Sequence, residues 1–459
     1  MVAARVGLRL LLVVSLCWCM APGSARGEEQ DVAPGEKLTL ERAITIALEH
    51  HPLRKEAQAE VGAAEQRTGQ ARSALLPQVN GVAEYLRGTD NGIGGTSYLP
   101  GGGINRAPST GRHVDQLSET FDNYTAGISA FQYLFDFGRT LGLIEQRDAQ
   151  ADAENARLEL VQLDLVYGVA QAFYDLLATK QIVRVYEAAV AKRTEHLHEA
   201  EVKAKAGLRP DIDRATAEAE LSRAQLDLID AQNLKAKTKA RLDYAMGFGE
   251  SAPDYGQVDT LPAAQNPGAL DEYVATAMRH RPDLALLVDE ARAAGAEIQE
   301  YRSDYLPRVG AVAGFNTRGQ DTGPGNNFYA GIVVTWSIFN GFLTDHQVQE
   351  AKLQQEAITH SIEDLRQRVA VQVKSSYLDW QAAVDRINKT EKALAASQLE
   401  LDLAEKRYAS GLGSIIELTD AERQWTQDEA DLIRARGDLA LAKAALDRAT
   451  GVGAPGVAA

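Results

Sequence analysis

The chain has 459 residues and a formal net charge of −16. Such an acidic balance repels phosphate backbones and disfavours nucleic-acid binding. Its two cysteines, Cys17 and Cys19, both fall within the first 27 residues, so the remaining chain has no disulfide or thiolate chemistry to draw on.

The N-terminus predicts a secretory signal over residues 1–27. Arg5 and Arg9 flank the start of an apolar run, Leu8 to Met20, and the small-residue stretch Pro22-Gly23-Ser24-Ala25-Arg26-Gly27 follows. Cleavage is expected after Ala25 or Gly27, because the run is too short to span a bilayer. A lipoprotein signal ending at Cys17 or Cys19 fits poorly, since Leu16 or Trp18 stands where a small residue is usual. Losing Arg5, Arg9 and Arg26 takes the charge from −16 to −19.

Beyond the leader the sequence is written twice. Leu40 to Val79 matches Leu270 to Val309 at a shift of 230, with His50/His280, Pro52/Pro282, Leu76/Leu306 and Pro77/Pro307 in register. Further on the shift is 204, held by Gly127/Gly331, Phe135/Phe339, Asp175/Asp379, Gly207/Gly411, Leu242/Leu446 and Gly247/Gly451. A register kept over so many positions marks a duplicated structural unit. The predicted units are residues 28–249 and 269–453, with a proline-containing linker at 250–268 and a tail at 454–459.

Each unit predicts helix, strand, strand, very long helix, helix. The first helix is expected from Thr39 to Leu75 and again from Ala269 to Tyr305, ending at Leu-Pro because proline removes a backbone donor and restricts its predecessor. The pattern then turns to period two. Strands are expected at about 79–88, 123–135, 309–317 and 327–338. In the last, Phe328, Ala330, Ile332, Val334 and Trp336 fall on one face. Ten residues suit a tilted membrane-crossing strand, with Tyr133, Phe135, Trp336 and Phe339 as an aromatic girdle. A soluble hairpin fits the strands alone equally well. The first pair is separated by a glycine- and proline-bearing polar loop, 87–122, longer than its counterpart by 26 residues.

From Thr140 to Ala206 and from Phe342 to Ser410 there is no proline, and good helix formers dominate. Such a helix extends about 100 Å at 1.5 Å per residue. A seam spaced alternately three and four runs through Ile387, Thr390, Leu394, Ser397, Leu401, Ala404 and Tyr408. Its copy runs through Val183, Tyr186, Val190, Arg193, Leu197, Ala200 and Ala204. Gly207-Leu208 and Gly411-Leu412 then permit a left-handed turn into a returning helix.

Four strands cannot close a barrel, yet strand edges cannot be left unpaired in lipid. Membrane-crossing strands would therefore have to be shared between chains. In this organisation the chain resembles the TolC-like outer membrane efflux protein family. The likeness spans the mature sequence. It rests on the duplicated order of elements, Arg281-Pro282-Asp283-Leu284, Leu306-Pro307, Ser337-Ile338-Phe339-Asn340-Gly341, and the Gly-Leu turns followed by Asp213 or Glu417 and then Ala-Glu. The resemblance implies an α+β membrane protein. It would be a homotrimer with a 12-stranded outer-membrane β-barrel continued by a long α-helical coiled-coil barrel in the periplasm. It also implies partners: outer-membrane lipid, a periplasmic membrane-fusion adaptor and an inner-membrane pump of RND, ABC or MFS type. The function implied is that of an efflux exit duct, or a type I protein-secretion duct of the same fold, with no cofactor and no metal.

The resemblance further implies that Glu417 and Asp420, three apart on one helix face, form an acidic ring at the pore entrance. Acids early in a helix also complement its dipole, which accounts for Asp211 too. Gly207, Leu208, Asp213, Tyr408, Gly411 and Leu412 match tip positions that contact the adaptor and gate the entrance. Gly413 stands where the best-known family pattern has a basic partner, so that link is missing from the sequence.

No enzyme signature emerges. Gly101-Gly102-Gly103 lacks a phosphate-loop lysine. His196 and His198 are two apart and point to different helix faces, a poor metal pair. His50, His51 and His280 sit beside prolines at repeated positions, where a structural or surface role is expected. His113 stands alone. A periplasmic coiled-coil adaptor or scaffold is the alternative of another class, opposed by the duplicated strand pairs and the lack of an inner-membrane anchor.

Overall fold

The computed structural model describes residues 37–89, 96–98, 104–106, 120–207, 209–249, 252, 255–257, 260–261, 265–320 and 323–453. The signal at 1–27, the tail at 454–459 and Leu208 lie outside the described residues, as does much of the loop at 87–122.

In chain order the first unit begins with β1 (Lys37–Leu38), α1 (Leu40–His50) and α2 (Pro52–Arg72), then a 3₁₀ turn at Ser73–Leu75. Strand β2 (Gln78–Thr89) is followed by a short pair, β3 (Thr96–Tyr98) and β4 (Ile104–Arg106), then β5 (Thr120–Phe135). Next come α3 (Arg139–Lys205) and α4 (Asp211–Ala245). Strand β6 (Gly256–Gln257) lies in the linker and pairs in parallel with β1. The second unit repeats the order: α5 (Leu270–His280), α6 (Pro282–Ser303), β7 (Arg308–Gln320), β8 (Gly323–Thr335), α7 (Leu343–Ala409) and α8 (Ile415–Thr450).

Several predicted boundaries are corrected. The helix expected over 39–75 is two helices, broken at His51, and its copy is broken at Arg281. Both residues are extended, at ψ 129° and 122°, because each precedes a proline that opens the next helix. His51 uses the break: its Nδ1 accepts the backbone N–H of Leu53 at 3.2 Å. Arg281 instead ties its break to α7 and α8, donating to Gln372 Oε1 at 2.7 Å and the carbonyl of Ala449 at 3.2 Å. The 87–122 segment is shorter as a loop than expected, since β2 and β5 reach into it and β3–β4 sits within it. Strand β8 ends at Thr335, which leaves Trp336 beyond the sheet.

The main sheet is antiparallel throughout, in the order β2-β5-β7-β8. Directly opposed residues share a face, and the register gives one apolar and one mixed face. One carries Val79, Ala83, Tyr85, Tyr124, Ile128, Ala130, Phe315, Phe328, Ile332 and Val334. Its large side chains are open to the surroundings, with Phe328 72% and Ile332 70% exposed. The other face carries the polar residues Asn80, Glu84, Thr125, Ser129, Asn316 and Tyr329 together with Val82, Phe131, Val312 and Val333. Glycines on this face make room for aromatic rings: a Cβ on Gly314 would lie 2.5 Å from the Tyr329 ring, and one on Gly310 2.7 Å from Phe131.

The two longest helices, α3 and α7, have 67 residues each. Each packs against its returning partner, α4 or α8. Each unit has its own core. One gathers Ile46, Val169, Phe173, Leu177, Leu242 and Met246; the other gathers Leu365, Val369, Trp380, Leu439 and Leu446. Of the α7 seam, Ile387, Ser397, Leu401, Ala404 and Tyr408 are buried, and Thr390 and Leu394 half-buried. No described helix is long and apolar enough to cross a membrane.

Candidate functional site: the paired hairpin tips

The tips of the two coils lie side by side, because α3 packs on α8 and α4 touches α8. Each turn opens with a glycine in the left-handed region, Gly207 at φ +70° and Gly411 at +80°. A side chain there is strained, which is why glycine ends each long helix. After Gly411 the chain turns tightly: the amides of Leu412 and Gly413 both donate to the carbonyl of Arg407 at 2.9 Å. Gly413 is buried, and a Cβ there would lie 3.0 Å from the backbone nitrogen of Tyr408. That crowding gives a local reason for glycine where the family pattern places a base. Leu412, by contrast, is 78% exposed.

The base is supplied from the other hairpin. Arg209 donates through Nη2 to the carbonyl of Tyr408 at 3.0 Å. Its guanidinium also stacks over the Tyr408 ring, 4.7 Å from the centroid, and Nη1 lies 3.9 Å from Asp213 Oδ2. Lys203 approaches the same ring at 5.2 Å. Tyr408 and Asp213 are both buried, and neither the Tyr408 hydroxyl nor Asp213 Oδ2 has a hydrogen-bond partner. Burial, aided by the nearby Asp213 charge, raises the Tyr408 phenol above its ordinary value, while Arg209 opposes the shift. Tyr408 and Asp213, from different hairpins, thus lie on either side of Arg209, a residue outside the tip positions that the resemblance implied. Its only sequence signal is a base four residues before Asp213.

Glu417 and Asp420 are both exposed on the first turns of α8. Neither carries free charge within the chain. Glu417 pairs with Arg407 at 2.8 Å, and its backbone N–H is capped by Ser414 Oγ at 3.1 Å. Asp420 pairs with Arg423 at 2.6 Å, and Arg423 also reaches Glu220 of the first hairpin at 3.9 Å.

Deeper in the coil, His196 of α3 faces α8, with Nε2 2.7 Å from Oε1 of the buried Glu422. That carboxylate raises the imidazole above its ordinary value, against the opposing effect of burial. Glu405 of α7 joins them, so His196, Glu405 and Glu422 together could hold a metal ion. His198 is exposed and takes no part.

At the opposite end of the long helices, aromatic side chains surround the junction with the sheet. Phe135, Trp336 and Phe339 are exposed. The Trp336 indole donates to the carbonyl of Tyr305 at 3.0 Å, and Phe339 meets Phe342 edge-on at 5.5 Å. A bulge between Tyr133 and Phe135 interrupts the pairing of β5 with β7. Tyr133 keeps the alternation and opposes Gly310 on the mixed face, beside Phe131 at 4.8 Å, whereas the bulge turns Phe135 to oppose Val309 on the apolar face. The four predicted girdle residues thus do not share one face.

Comparison with known proteins agrees with this geometry. The sequence profile described as outer membrane efflux protein matches residues 43–248 and 274–452, one match per unit. The chain is similar to "Outer membrane efflux protein BepC" of Brucella suis, 24% identical over 418 residues, with 90% of this chain and 85% of BepC covered. It is similar to "Outer membrane protein TolC" of Vibrio cholerae, 23% identical with 83% of each chain covered. A third relative is "Alkaline protease secretion protein AprF" of Pseudomonas aeruginosa, 23% identical with 89% and 83% covered. Among solved structures, that of CusC superposes with a TM-score of 0.75 at 20% identity, covering 95% of this chain and all of CusC. The outer membrane protein VceC of Vibrio cholerae superposes at 0.72 and 19% identity, covering 90% and 96%. With its profile matched across both units and its fold shared over 95% of its length, the chain belongs to the outer membrane efflux protein family.

Proposed function

We propose that this chain is one third of an outer-membrane exit duct that receives substrates from a periplasmic adaptor and an inner-membrane pump and conducts them passively outward. The observation that carries the reading is the four-stranded sheet. It has an apolar outward face and two unpaired edges, β2 and β8, mounted on coils about 100 Å long. Edges in lipid must be paired. Joining β8 of one copy to β2 of the next closes a barrel, and three copies give the 12 strands the family implies. The mixed face then lines the lumen, and the hairpin tips form the periplasmic entrance. Gly207, Leu208, Gly411 and Leu412 are the positions proposed to meet the adaptor.

At the entrance, Glu417 and Asp420 of the three copies form the proposed acidic ring, tempered by Arg407 and Arg423. Phe135, Trp336 and Phe339 are the proposed contacts with the inner lipid interface. Relatives named for efflux and for protease secretion both support a duct, and they leave small-molecule efflux and type I secretion as its two uses.

Fractionation together with planar-bilayer recording tests the reading. Recovery in the outer membrane, with discrete conductance from the purified protein, is the expected result. Soluble periplasmic recovery without conductance would overturn it in favour of an adaptor or scaffold.

A further inference from the structure

We propose that His196, Glu405 and Glu422 form a binding site for a divalent transition-metal ion, of which zinc is the representative, joining the two coils. The three side chains come from α3, α7 and α8, and thus from both units. One donor atom from each lies within 4.8 Å of the others. Glu422 is only 3% exposed. Its Oε1 has no hydrogen-bond partner despite lying 2.7 Å from His196 Nε2, so the two are close without being aligned. The buried Nδ1 of His196 is likewise without a partner. The ion pair with His196 balances the charge but leaves this buried oxygen without an aligned donor, a need that a bound cation would satisfy.

The donor set favours a borderline ion over calcium or magnesium. Imidazole suits zinc and its neighbours, whereas the hard cations prefer oxygen alone. Two carboxylates match the ion's double charge, and three protein donors leave coordination open to water. The neighbouring charges are mixed. Lys192 now pairs with Glu405 and must yield it, and Arg193 is also close by, while Glu199 and Glu220 add negative charge. Lys192 has an alternative neighbour in the Trp425 ring, 5.8 Å away. The ion must also compete with the imidazole proton. The site lies between about two and three helical turns from the glycine turns, so a bound ion would clip α3 to the α7–α8 coil. Binding stands on this geometry alone; only an effect on conductance would rest on the duct reading.

The test is isothermal titration of zinc into the purified full-length protein in detergent, supported by visible spectra with cobalt(II). One zinc per chain is expected, with at least tenfold weaker binding in His196→Ala and in Glu422→Gln and d–d bands lost in the former. His360→Ala, at an exposed histidine flanked by Glu356 and Glu363, should leave affinity unchanged. Failure of the wild type to bind micromolar zinc, or equal affinity in both site variants, would overturn the proposal. Should those variants not fold, Glu405→Gln at a more exposed side chain decides it: weakened binding supports the site, and unchanged binding removes it.

Discussion

At the scale of single residues, the tips are held by groups that act across the two hairpins. Arg209 serves Tyr408 two ways, with a hydrogen bond to its carbonyl and stacking on its ring, and it balances the charge of Asp213. A stacked, partly desolvated cation contributes about 1–2 kcal/mol, and a bond from a charged donor a similar amount. Arg209→Ala should therefore loosen the tips and raise single-channel conductance or open probability several-fold in planar bilayers. Arg209→Lys should restore little of the closure, because an ammonium cannot stack or fork in the same way. Glu417→Ala with Asp420→Ala should reduce cation preference, measured as a shift of reversal potential in a salt gradient. Since each acid already has an arginine partner, the complementary change Arg407→Ala with Arg423→Ala should increase that preference. Unchanged selectivity in both pairs of variants would remove the acidic ring.

At the scale of elements, the duplication explains positions that looked unrelated in the sequence. Gly247 and Gly451 end the returning helices with φ of +84° and +76°. Each sits against the proline break of its unit's first helix. A Cβ on Gly247 would lie 2.9 Å from the Cα of His51, and one on Gly451 2.8 Å from the carbonyl oxygen of His280. The repeated His50/His280, Pro52/Pro282 and Gly247/Gly451 matches thus describe one joint, built twice. Gly451→Ala combines a left-handed backbone with a backbone clash and should cost about 2–4 kcal/mol, lowering the unfolding midpoint in thermal denaturation. Gly249→Ala is the control: nothing lies within 4 Å of a Cβ there, so its midpoint should stay close to the wild type. At the tip of the second coil, Leu401 is 1% exposed in a cluster with Tyr408, Ile415 and Leu418. Leu401→Ala should cost about 2–5 kcal/mol, read as earlier loss of helix circular dichroism.

At the scale of the whole molecule, the chain is incomplete by its own physics. Its sheet exposes an apolar face and two edges, and its coils expose further apolar side chains, Leu226 and Ile229 on α4 and Leu353, Val371 and Leu399 on α7. Exposed edges and patches of this extent ask for partners, and in the proposed duct further copies of the chain would supply both. Unheated samples in mild detergent gels should run far above the 49.7 kDa of the full chain and collapse towards the monomer on boiling. A monomer under both conditions would contradict the shared barrel.

By itself the sequence determined the repeat, the order of elements and the length of the coils. These are local or periodic properties: proline stops helices, alternation sets strands, and an unbroken run of helix formers sets a helix of 67 residues. The seam from Ile387 to Tyr408 was legible for the same reason. Only the tertiary structure decided what depends on register and on contacts far apart in the chain. The bulge beside Tyr133 moves Phe135 to the opposite face, and a single extra residue in a strand leaves no periodic trace strong enough to predict. Arg209 and Tyr408 are 199 residues apart, and His196 meets carboxylates of two other helices. Residues so distant become neighbours only when the two coils pack side by side, because contacts between chain segments follow from shape and burial rather than from spacing.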